Sequence, residues 1–146
     1  MSELGTYIHQ RLEALSGNVK WDEIRDEWLE AVQRLNGQIK EWLADEVAQG
    51  LVTIEEYDVA RDEERMGSYV ATALRLKTPI GVVQIEPVAR VIIGGLGRVD
   101  MSSLRGGSYM LVRLAVSGWV YMPETRGDWQ PLTQHVFTDL IKKLLQ

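Results

Sequence analysis

Between Trp21 and Val47 an apolar residue returns every third or fourth position: Trp21, Ile24, Trp28, Val32, Leu35, Ile39, Trp42, Val47. That spacing puts the whole set on one stripe of an α-helix and on nothing else the backbone forms easily. Asp22 and Glu23 stand near its start, where the helix dipole favours anions. Glu30 precedes Arg34 by one turn, and Gly50 follows as a stop. A helix from about residue 20 to 49 would be roughly 45 Å long. A rod of that length must cross most of a small domain or carry one end out to a partner. Leu29 and Leu43 widen the stripe, which favours packing in a globular core over a narrow coiled-coil seam. Trp21, Trp28 and Trp42 are nevertheless the residues through which such a helix would self-associate into a homodimer.

A shorter helix is expected before it. Leu4, Ile8, Leu12 and Leu15 share one face, and Gly17 is placed to end the turn. After Gly50 the period changes from three or four to two. Leu51–Ile54 and Tyr57–Val59 suggest a strand followed by an acidic excursion over Arg61–Arg65. Tyr69–Lys77, Val82–Ile85, Ala89–Ile93, Arg98–Met101, Tyr109–Ala115 and Trp119–Met122 read as further strands, set apart by Gly- and Pro-bearing turns. Pro87 demands a sheet edge, a bulge or a strand end. Gly94–Gly97 must bend the chain, and a last turn falls on Thr125–Asp128. Thr133 is the expected N-cap of a closing helix whose apolar face is Val136, Phe137, Leu140, Ile141, Leu144 and Leu145.

Connections this short favour an antiparallel meander, because parallel strands need long crossovers. The expected fold is α+β: two N-terminal helices, the second one long, then a sheet or half-barrel of 6–7 strands, mostly antiparallel, then a C-terminal helix. At 146 residues the chain fits a single domain over 1–146, with a helical segment 1–50, a β-sheet 51–131 and a closing helix 132–146.

Composition narrows the chemistry. There is no cysteine, which removes disulfides, thiolate metal sites and a cysteine nucleophile. The N-terminal segment has neither a basic nor an apolar region of the secretory kind, and no stretch approaches the roughly 20 apolar residues that cross a bilayer. A cytoplasmic protein without a membrane segment is the expectation. Residues 1–66 carry 7 Lys/Arg against 16 Asp/Glu, a net of −9, and residues 67–146 carry 9 against 5, a net of +4. The acidic whole disfavours a dedicated nucleic-acid binder.

No motif names a catalyst. Gly94-Gly95-Leu96-Gly97 precedes β-like residues rather than a helix, which is not how phosphate loops are built. The acidic group Glu55, Glu56, Asp58, Asp62, Glu63 and Glu64 could hold a hard cation if folded back, but reads first as a charged sheet edge. No catalytic residue, metal ligand or cofactor is assigned. The β half interleaves arginines with aromatics, and Tyr109, Arg113, Trp119, Tyr121, Arg98 and Arg105 form the candidate interaction face, since these residue types dominate protein-binding hot spots. Alternation puts Tyr109, Leu111 and Arg113 on one side of a strand and the wholly apolar Met110, Val112 and Leu114 on the other, which would be the core side. On that division, alanine at Tyr109 or Arg113 should leave the melting temperature nearly unchanged.

The leading expectation is a non-catalytic protein-interaction or assembly module with a protein partner, homodimeric association included. Two alternatives are a small metal-independent hydrolase or acid–base enzyme around His135 with Asp100 or Asp128, and a weak single-stranded nucleic-acid binder using the Arg/aromatic face.

Overall fold

The computed structural model describes residues 2–16, 19–123 and 128–146, with the side chains of 10 and 12–16 left aside. Gly17, the Leu12 and Leu15 side chains and the Glu124–Gly127 part of the last expected turn, including Arg126, lie outside the described residues.

The chain forms α1 (Glu3–Ser16), α2 (Trp21–Trp42) and α3 (Ala44–Ala48), then strands β1 (Thr53–Glu63), β2 (Gly67–Thr78), β3 (Gly81–Ala89), β4 (Arg98–Ser103), β5 (Ser108–Leu114), β6 (Gly118–Met122) and β7 (Gln130–Pro131), and finally α4 (Gln134–Leu144). The strands lie in sequence order in one seven-stranded sheet, and every pairing is antiparallel. This is the α+β meander that the short connections require.

Four elements differ from expectation. The long helix is not continuous: α2 ends at Trp42 and α3 restarts at Ala44, with Leu43 at φ −101° and ψ 6° between them. Leu43 is the last buried member of the stripe. Beyond it come Ala44, Asp45 and Glu46, and α3 has no buried residue. Gly50, at φ 74°, then closes α3 as foreseen: its N–H donates to the Val47 carbonyl and the Leu51 N–H to that of Glu46, the paired bonds of a Schellman stop.

The second difference is the acidic excursion. Arg61, Asp62 and Glu63 belong to β1, which pairs with β2 from Thr53↔Lys77 to Glu63↔Gly67. The third is Ala89–Ile93. Strand β3 absorbs Ala89 through a register shift between Pro87 and Ala89, a bulge being one of the three settings expected for Pro87. The following residues form a loop in which Ile92 and Gly95 make an isolated antiparallel bridge. The short β7 beside β6 is an additional strand.

Register decides which side of the sheet is core. Pairings Leu74↔Ile85, Ile85↔Met101, Met101↔Tyr109 and Leu111↔Tyr121 place these side chains on one face. Leu74, Leu76, Val83, Ile85, Val99, Met101 and Leu111 are buried there, in one cluster with Trp28, Val32, Leu35 and Ile39 of α2 and Phe137, Leu140 and Leu144 of α4. Trp28 and Trp119 lie with ring centroids 6.0 Å apart, and Trp42 and Phe137 at 5.4 Å. The expected assignment of Met110, Val112 and Leu114 to the main core is therefore reversed. Val112 is buried from the other side, where a Cβ on Gly95 would stand 2.7 Å from its Cγ1, while Met110 and Leu114 are half-buried. Thr133 caps α4, its side chain accepting from the Val136 N–H.

Candidate functional site

The six residues nominated as an interaction face do not share one surface. Tyr109, Trp119 and Tyr121 are partly buried against the core, with the Tyr109 and Tyr121 rings edge to face at 5.8 Å. Arg113, on the same side, donates from Nη1 and Nη2 to the two carboxylate oxygens of Glu27 on α2, each at 2.6 Å. Its side chain is 17% exposed. Arg34 reaches the same carboxylate at 3.7 Å, and this cluster holds the Glu27 carboxyl below its usual value, first through the Arg113 hydrogen bonds. Alternation puts Arg98 on the opposite face, where it forks onto Asp100 at 2.8 and 3.0 Å. Arg105 sits in the β4–β5 turn, its guanidinium donating to the carbonyls of Ile80 at 2.8 Å and Leu145 at 3.2 Å.

Of the tryptophans proposed for self-association, Trp28 is wholly buried inside its own chain, and Trp21 and Trp42 pack partly buried against the same cluster. A cleft of about 410 Å³ runs beside Arg113 between α2 and the β6–β7 edge, floored by Leu35 and flanked by Trp42 and Trp119. The charges near it are already paired, Arg113 with Glu27 and Arg34 with Glu27 and Glu30.

The acidic strand is also occupied by its neighbours. Glu55 pairs with Lys77 and Arg75, and Glu56 with Lys40 of α2. Glu63 accepts the backbone N–H groups of Arg90 and Val91, both at 2.9 Å, and the Tyr69 hydroxyl. It thereby pins the start of the Arg90–Gly97 loop to the end of the β1–β2 hairpin. Tyr57 donates to Glu86 at 2.6 Å beneath the Arg75 guanidinium. Burial, with a carboxylate acceptor added, pushes both the Tyr57 and Tyr69 phenols well above the usual value. Among the described residues no group of three or more His, Asp or Glu is placed to share a metal ion.

His135, whose side chain is 85% exposed, lies 3.4 Å from Asp139 one turn along α4. The carboxylate of Asp100 is held by Arg98 on the sheet face away from the helices. These groups are not brought together around a common pocket.

The feature that sequence reasoning missed is an apolar groove of about 460 Å³ where α2 ends. Trp42, Leu51, Ile80, Phe137, Ile141 and Leu145 line it, with Glu46 and Lys142 among its polar members. It exists because α3 departs from the sheet at Leu43 and because the β2–β3 turn rises against α4. A Cβ on Gly81 would stand 3.0 Å from Leu145 Cδ2, so glycine permits that approach. Arg105, by holding the carbonyls of Ile80 and Leu145 together, braces that end of the groove. Leu51 is 48% and Ile80 61% exposed. The only sequence signal for the groove is the loss of apolar character after Leu43.

A second apolar surface belongs to α1, where Leu4, Tyr7 and Ile8 are 67%, 59% and 49% exposed. Among the described residues no helix is long and apolar enough to cross a membrane. In comparisons with known proteins, no protein-family model, curated protein or solved structure matches the chain.

Proposed function

We propose that the chain is a non-catalytic protein-interaction module whose working surface is the groove between the end of α2, the β2–β3 turn and α4. The observation that carries this reading is the apolar lining of that groove, with Leu51 and Ile80 left open to solvent beside Trp42 and Phe137. Several charged and polar groups of the sheet are paired within the chain, through Arg113–Glu27, Arg98–Asp100, Tyr57–Glu86 and Lys77–Glu55, whereas the apolar side chains Leu51 and Ile80 of the groove stand open. A groove bounded by the end of α2, the β2–β3 turn and α4 suits an amphipathic helix, which lays residues three and four apart into it.

Site-specific photocrosslinking in the native cell tests this. A photoreactive p-benzoylphenylalanine at Ile80 should give protein adducts of discrete mass, and the same group at Val70, exposed on the β1–β2 hairpin, should not. Equal labelling at the two positions, or no protein adduct at Ile80, would overturn the reading.

A further inference from the structure

We propose that the occupant of the groove is α1 of a second copy of this chain, exchanged reciprocally in a two-fold dimer. The inference rests on the reading of the groove just given and adds the identity of its partner.

Helix α1 needs a surface. A helix of 14 residues is marginal in water without tertiary packing, yet the described apolar side chains Leu4, Tyr7 and Ile8 are exposed. Leu4 and Ile8 stand one turn apart on one stripe of it, the spacing of a groove-binding helix.

The chain's own groove is out of its reach. It lies at the Trp42 end of α2, and α1 joins at the Trp21 end. Those 22 residues of helix rise about 33 Å. Helix α1 is about 21 Å long, and the four residues before Trp21 add at most about 14 Å when fully extended. Folded straight back, only the first turn of α1 would arrive at Trp42, and its stripe would lie along α2 rather than in the groove. A second copy places the whole helix there without stretching anything.

Charge and area agree. By the 100° step of a helix Arg11 falls beside Leu4 and Ile8, the one basic residue next to the stripe. Glu46 lies at the groove to meet it. A seated helix about 21 Å long and about 10–12 Å across that turns a third of its circumference inward hides roughly 440–530 Å² counted on both surfaces. One such contact falls well short of the roughly 1,000 Å² a specific interface needs, and two come to about 900–1,050 Å². The estimate favours the reciprocal, two-fold arrangement.

The absence of cysteine makes the test clean. Single variants Ile8→Cys and Ile80→Cys change exposed residues of the 146-residue chain. Mixed and mildly oxidised, they should form a covalent Ile8–Ile80 dimer, with no such product from Ile8→Cys mixed with Val70→Cys. Light scattering should give twice the 16.6 kDa chain mass for the unmodified protein and the chain mass for the Leu4→Glu/Ile8→Glu double variant. Four results would overturn the inference: a monomeric unmodified protein, a double variant that stays dimeric, an Ile8→Cys variant that bridges preferentially to itself, or an Ile8→Cys/Ile80→Cys double variant that closes its bridge within one chain. Photocrosslinks from Ile80 to a different protein, alongside a monomeric chain, would remove the second copy and leave the groove reading standing.

Discussion

Arg113 on β5 and Glu27 on α2, 86 positions apart, meet through two hydrogen bonds of 2.6 Å. This fork ties the helix layer to the sheet beside the Trp28–Trp119 contact. Arg113→Ala should therefore cost about 1–2 kcal/mol in urea denaturation, a pair that is partly exposed being worth less than a buried one. That replaces the expectation of an unchanged melting temperature. The Glu27 carboxyl is held below its ordinary value, chiefly by Arg113, so the pair stabilises the fold above the unfolded-state value near 4.3 and loses that contribution as pH falls through the lower folded value. The stability gap between the parent protein and Arg113→Ala should close as pH falls below about 4. A gap that stays constant down to pH 2 would show that packing, not charge, sets it.

Gly97 makes a sharper prediction. A Cβ there would sit 2.1 Å from Cζ3 of the fully buried Trp28, and the backbone is at φ 139°. Gly97→Ala should lose about 3 kcal/mol or more, through overpacking added to backbone strain. Gly94 also has a positive φ, 83°, but nothing within 4 Å of its would-be Cβ. Gly94→Ala should cost only about 1 kcal/mol. Equal costs in thermal unfolding would mean that the Trp28 ring moves aside freely.

The contrast between those glycines shows what the sequence could convey. Features that depend on neighbours in the chain were legible: the α2 stripe, the Gly50 stop, the Thr133 cap and the irregularity at Pro87. The core side of β5 was not, because its two alternating sets are both largely apolar and only the position of α2 chooses between them. Arg113 read as a free contact because its acid lies 86 positions away. Glu63 gave no hint that it would accept the N–H groups of Arg90 and Val91, 27 and 28 positions on. The groove left no trace beyond the loss of apolar character after Leu43, for the same reason. It is made by Leu51, Ile80 and Phe137, which come from three separate parts of the chain.

Tyr57 and Tyr69 should resist ionisation. Both phenols are raised first by burial and then by donation to Glu86 and Glu63. A raised folded value favours the neutral phenol, so the contribution is full below the unfolded value near 10 and is lost as pH climbs above it. In an alkaline titration their phenolate absorbance should appear together with loss of ellipticity. Tyr57→Phe should make stability fall less steeply above pH 10. An unchanged alkaline slope would show that Tyr57 ionises in place.

His135→Ala should leave stability within about 0.5 kcal/mol, because the side chain is 85% exposed and faces only Asp139 one turn away. A loss above about 1 kcal/mol in urea denaturation would mean that the imidazole has a structural partner beyond Asp139.

Arg105 separates the groove from the fold. Its guanidinium holds the carbonyls of Ile80 and Leu145, both at exposed ends of their elements, so removing it opens no core cavity. Arg105→Ala should change global stability by less than about 1 kcal/mol. Hydrogen exchange should nevertheless quicken in the last turn of α4, where local opening needs far less energy than unfolding. Because the groove is then less well formed before its occupant arrives, the yield of photocrosslinks from Ile80 should drop. A variant with faster exchange and an undiminished crosslink yield would show that the occupant orders the groove itself, and Arg105 would be left with a purely local role at the β4–β5 turn.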